Sequence, residues 1–135
     1  MIRLVSARPS HAETPTALLL SATSVWTSNV LVFALSYWRL DAGGPHGRDS
    51  RDAHVAGAFL FPQMTLSPAV KAATGQEQWS PDFLDYLFLA FNTSTAFSPT
   101  DTPALERWGK VLMMLQSIIS LTVLAVLAAR AINTL

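Results

Sequence analysis

Residues 111–129 read VLMMLQSIISLTVLAVLAA, nineteen consecutive positions without Lys, Arg, Asp or Glu. At about 1.5 Å of rise per residue such a helix covers roughly 28 Å, close to the ~30 Å of a bilayer's hydrocarbon core. Lys110 bounds the run on one side and Arg130 on the other, where a long aliphatic stem lets the guanidinium reach the interface. This run is read as a spanning helix. Working outward, Thr14–Trp38 repeats the pattern over 25 residues, and Pro15–Trp38 is read as the other span. The apolar core of a secretory signal runs about 7–15 residues, so that segment reads as an uncleaved anchor.

The rest of the composition agrees. Of 135 residues, 13% are charged, against about 25% in ordinary soluble domains. The deficit is local: 14–38, 53–70, 86–100 and 111–129 carry no charge, and all nine basic and nine acidic residues fall elsewhere. A net charge of zero removes the field that a nucleic-acid binder needs, and the absence of Cys excludes disulfides, thiolate nucleophiles and Cys-based metal centres. Nucleic acid is therefore not expected as a partner.

The two shorter charge-free runs cannot span. Val55–Leu66 contains Pro62 and is expected at the membrane surface. Tyr86–Thr100 opens as YLFLAF and turns polar as NTSTAFSPT, the pattern of a re-entrant half-helix. Irregular backbone at membrane depth must be buried in protein or line water. Ser/Thr-Pro pairs at Thr14-Pro15, Ser67-Pro68, Ser80-Pro81 and Thr102-Pro103 place helix starts near 15, 68, 81 and 103, with Gly75 stopping the second of these. Asp82 then falls in a first turn, where it complements the helix dipole. The glycine- and charge-rich stretch Asp41–Asp52 reads as a loop. Tyr37, Trp38 and Trp108 gather aromatic anchors on the side of the long connection.

Polar groups inside the spans are few. Asn29 and Gln116 read first as interhelical hydrogen-bonding groups, and Ser24 with Ser28 forms a small-xxx-small pair suited to close helix approach. Gln116 and Ser120 share a face of the second span, which is the candidate inner lining if a pore exists. His46, Asp49, Asp52 and His54 read as a solvated loop and not as a metal site. No nucleophile elbow, phosphate loop or HExxH helix is present, so no enzyme, cofactor or metal is expected.

The order of span, descending half-helix, polar return and second span resembles the pore module of two-transmembrane potassium-type channels. The resemblance is carried by Asp85–Asp101, DYLFLAFNTSTAFSPTD, followed by Pro103 and a helix start holding Arg107 and Lys110. The chain also resembles a family of small bacterial integral membrane proteins of unassigned function through YWRLDAGGP (37–45), FLFPQM (59–64) and AFSPTD (96–101). The channel resemblance implies a pore and filter lined by Thr93, Ser94, Thr95, Ser98, Thr100 and Asp101, and self-association as a tetramer. Channel filters use glycine so that successive carbonyls face the ion, and here no glycine lies between Gly75 and Gly109 while Pro99 fixes its own φ. A hydroxyl filter with an Asp101 ring, passing monovalent cations with weak selectivity, is the form this module would take.

The fold class expected is thus all-α integral membrane, with two transmembrane helices flanking a re-entrant pore-type helix. Its segments are an N-terminal tail (1–14), span one (15–38), a polar connection with an interfacial segment (39–78), the re-entrant helix and filter-like return (79–102), and span two (103–135). The expected setting is the inner cell membrane, crossed more than once. Two functions fit: a cation pore built by a homo-oligomer in the lipid bilayer, or a non-conducting accessory subunit of a larger membrane complex.

Overall fold

The computed structural model describes residues 14–52, 55, 57–95 and 101–133. They form five α-helices, α1 (Pro15–Leu40), α2 (Gly44–Asp49), α3 (Pro68–Thr74), α4 (Phe83–Thr95) and α5 (Arg107–Asn133), with short 3-10 turns at Asp41–Gly43 and Pro62–Thr65. Among them, α1 and α5 are long and apolar enough to cross a membrane. Only 22% and 11% of their most apolar windows are buried, which separates them from the core helices of a soluble domain. α5 is apolar all round and yet exposed, with Ile118, Leu121 and Ile132 each more than 60% accessible.

α1 starts where the sequence places it. The Thr14 side chain accepts the Ala17 N–H at 3.3 Å, and Pro15 removes an amide that would lack a partner. At its far end the chain reverses through three residues of positive φ, Ala42, Gly43 and Gly44. A Cβ on Gly44 would stand 2.8 Å from the Arg39 carbonyl oxygen, so glycine is required there. α3 begins on Ser67, which caps the Val70 N–H, and stops at Gly75 in the left-handed region, as expected.

Two helix starts differ from the sequence reading. α4 begins at Phe83, because Asp82 is its cap and not a first-turn residue. The Asp82 carboxylate accepts the N–H groups of Leu84 (2.8 Å) and Asp85 (3.2 Å), while Asp85 accepts the Asp82 N–H at 2.9 Å. This reciprocal arrangement outcompetes the Ser80-Pro81 signal. α5 begins at Arg107 and not near 103, because 103–105 pairs as a short extended segment with 58–60. Leu60 N–H donates to the Pro103 carbonyl (3.1 Å) and Leu105 N–H to the Ala58 carbonyl (2.6 Å), around an isolated antiparallel bridge between Phe59 and Ala104.

α1, α4 and α5 pack pairwise into a three-helix bundle. α4 is half as long as its partners, 13 residues or about 20 Å. It runs beside the C-terminal half of α1, with Phe83 edge-to-face on Trp38 at one end and Phe91 on Trp26 at the other. The chain leaves α4 at Thr95, and by Ala104 it is back beside Phe59 at the α1 C-terminal end.

Residues 57–66, part of the run expected at a membrane surface, close that end of the bundle. Phe59 is fully buried with its ring centroid 5.1 Å from Tyr37, 5.8 Å from Trp108 and 6.4 Å from Tyr86. Phe61 stacks on Tyr86 at 5.2 Å and on Trp79 at 5.8 Å. Edge-to-face pairs of this kind contribute about 0.5–1.5 kcal/mol each beyond the area they bury. Asp41–Asp52, read as a loop, is ordered by the same closure: Asp41 and Arg48 are both buried.

Candidate functional site

Helical periodicity brings one face of α4 inward: Tyr86, Leu89, Ala90, Thr93 and Ser94 are its buried residues. The facing residues of α5 are Gln116 and Ser120, and those of α1 are Asn29, Phe33 and Tyr37. Gln116, fully buried, stands at the centre of a hydrogen-bond network that ties all three helices. Its amide nitrogen donates to the Ala90 carbonyl at 2.7 Å and to the Ser94 hydroxyl at 2.8 Å. Its amide oxygen accepts the Tyr37 hydroxyl at 2.6 Å. Ala90 makes this reach feasible, because a methyl side chain lets α4 approach α5 closely.

One turn along α5, the Asn29 side-chain nitrogen donates to Ser120 at 2.7 Å and to the Gln116 carbonyl at 3.4 Å. The Asn29 oxygen is buried without a hydrogen-bond partner. Ser117 reaches the Thr93 carbonyl at 3.3 Å. The interhelical role read for Asn29 and Gln116 is therefore what the geometry displays. Ser24 and Ser28 are both exposed, whereas Ala34 and Ala90 are fully buried between the helices.

A second polar group lies at the connection end. Asp41 is fully buried, with one carboxylate oxygen accepting the Ala58 N–H at 2.6 Å and the other the Tyr86 hydroxyl at 2.7 Å. Burial, and then the Asp41 carboxylate beside it, push the Tyr86 hydroxyl well above the ordinary tyrosine range, so it remains a donor. Arg48 donates to the Asp41 carbonyl at 2.7 Å and lies 5.1 Å above the Tyr86 ring. Gly57 is required here, because a Cβ on it would overlap the Asp41 carboxylate.

The residues read as filter and lining are divided by this geometry. Thr93 and Ser94 face the bundle interior, and the Thr93 hydroxyl donates to its own helix at the Leu89 carbonyl, 2.8 Å away. Thr95 is half-buried at the end of α4 and donates to the Asn92 carbonyl at 2.9 Å; Asp101 is exposed. Ser98 and Thr100 lie outside the described residues. Gln116 and Ser120 are wholly buried within one chain, on the face that packs against α1 and α4 and not on an outward face. Among the described residues no group of three or more His, Asp or Glu side chains is placed to hold a metal ion.

Sequence reasoning missed Asp41, Arg48 and Tyr86 as a site. Asp41 sits immediately after an apolar run, where an acid reads as solvated, and no local pattern links it to Tyr86, 45 positions away. No family model, no curated protein and no solved structure matches this chain.

Proposed function

We propose that this chain is an integral membrane protein in which α1 and α5 span the bilayer and α4 is a re-entrant half-helix, and that copies of it assemble around a weakly selective cation path. The observation that carries this reading is the placement of α4. Its capped N-terminus lies at the connection end, while its polar C-terminal turn, Asn92–Thr95, lies beside the middle of the two long helices. A helix C-terminus presents the negative end of the macrodipole, which favours a cation at that depth. The polar return that follows cannot face lipid, so a neighbouring copy or another protein must cover it.

In this reading Thr95, Asp101 and the intervening Ser98 and Thr100 line the mouth, with monovalent cations as the permeant species. Gln116, Ser120, Thr93 and Ser94 hold α4 at its depth and are positioning residues. The inner cell membrane is the proposed location. The second reading, a non-conducting subunit of a larger membrane complex, is favoured by one observation: Asn29, Gln116 and Ser120 hydrogen-bond inside the chain, and α5 turns Val111, Met114, Ile118 and Leu121 outward.

Cation flux through liposomes holding the purified protein separates the two. A leak that falls on Asp101→Asn, from a particle of several identical copies, supports the pore. An intact protein that passes no cation refutes the pore and leaves the subunit reading.

A further inference from the structure

Outside the bundle, the connection holds a cleft of about 710 Å³ between the α2 region and the 71–80 segment, with Leu60 and Met64 at its base. Arg48 is only 7% exposed and Lys71 is half-buried, whereas Arg51, Asp49, Asp52 and Glu77 are exposed. The deep part is therefore cationic, and the rim sets three acids against one arginine.

Arg48 is built into place. Its Nη1 donates to the Asp41 carbonyl at 2.7 Å, and its guanidinium lies over the Tyr86 ring. Its Nη2 is buried with no hydrogen-bond partner, and no carboxylate among the described residues pairs with this guanidinium. A buried, charged donor without an acceptor is costly, and a planar guanidinium is suited to an oxyanion. Arg48 lines the cleft together with Lys71 and Ser80, which add a second cation and a neutral hydroxyl donor.

We propose that this cleft binds a phosphate-type oxyanion on the Arg48 guanidinium, with Lys71 as the second cation. The acids at the rim, which outnumber Arg51 there, favour an oxyanion that carries a cationic or neutral remainder over a polyanion, since a second negative charge would meet Asp49, Asp52 and Glu77 on entry. The site is independent of whether the chain conducts ions.

The test uses the full chain in phosphatidylcholine nanodiscs, titrated with inorganic phosphate and followed by calorimetry. Saturable binding of one phosphate per chain is expected, weakened about fivefold by Lys71→Gln and at least about tenfold by Arg48→Gln. A parallel arm in nanodiscs containing phosphatidic acid, read by native mass spectrometry, asks whether that lipid is retained over phosphatidylcholine with the same dependence on the two variants. Retention there without binding of free phosphate assigns the oxyanion to a lipid headgroup; binding of free phosphate assigns it to a soluble ligand. Arg48 also supports the Asp41 turn, so if Arg48→Gln fails to fold, the result for Lys71, on the exposed helix α3, decides. Absence of saturable binding in both arms, or a folded variant that binds as tightly as the parent, overturns the proposal.

Discussion

Replacing Gln116 by Leu tests whether the central amide holds α4 in place. The substitution keeps the bulk of the side chain and removes three hydrogen bonds, those to Tyr37, the Ala90 carbonyl and Ser94. Interhelical hydrogen bonds within membranes contribute about 0.6 kcal/mol on average and up to about 1.7, so the loss is expected to be about 2–5 kcal/mol. The upper part of that range applies because all three partners are left buried, Tyr37 and Ser94 being fully so. Reversible unfolding in mixed micelles, followed by tryptophan emission, measures it. Tyr37→Phe removes one of the three bonds and is expected to cost about 1 kcal/mol. In a double-mutant cycle the second change costs less than it does alone, since both remove the same bond. A Gln116→Leu protein within about 0.5 kcal/mol of the parent would refute the network as the anchor of α4. If that unchanged stability came with altered cation flux, Gln116 would belong to the path instead.

Phe59→Ala empties the aromatic cluster at the connection end and is expected to cost about 3–5 kcal/mol, with Trp108 emission shifting to the red as water replaces its partner. Gly57→Ala places a methyl group against the Asp41 carboxylate and 2.7 Å from the Ala42 nitrogen, and is expected to lower stability by about 3 kcal/mol in the same assay. The Asp85 carboxyl is held above the ordinary aspartate value of 3.8, first by burial and then by the neighbouring Asp82 charge. The folded state therefore binds that proton more tightly than the unfolded chain. Its stabilising contribution is complete below the ordinary value and is lost as pH rises through the elevated one. A pH series of unfolding midpoints is expected to show this fall, and Asp85→Asn to flatten it.

The two long helices were legible because runs of 25 and 19 residues without charge are long and apolar enough for helices that could cross a membrane. Asn29 and Gln116 stood out for the same reason, as isolated amides in apolar runs. Their partners were not legible. Pairing Gln116 with Tyr37 and Ser94 depends on the relative depth of three helices, which no local spacing encodes. The helix starts at Thr14 and Ser67 follow from their own side chains, whereas the starts of α4 and α5 were decided elsewhere. Asp82 competes with Ser80 for the N-terminus of α4, and pairing with 58–60 delays α5. The least legible part is the pairing of Asp41 and Arg48 with 58–61. The polar, glycine-rich stretch signals a loop, yet Asp41, Arg48, Ala58, Phe59 and Phe61 are buried by contacts between residues far apart in the chain.

The half-length of α4 divides the molecule mechanically. Its first turns are tied to Asp41 through Tyr86, and its last turns to Gln116 through Ala90 and Ser94. A slide of one helical turn, about 5.4 Å, would break both ties at once. The connection half is therefore braced at both ends of α4. Beyond Thr95, α1 and α5 lie side by side with no third helix between them among the described residues, flanking an apolar groove of about 320 Å³ from Leu18 to Arg130. The hydrogen bonds from Asn29 and Tyr37 that brace α1 against α5 therefore lie between the aromatic closure and Ser120, and the contact beyond is mainly apolar packing.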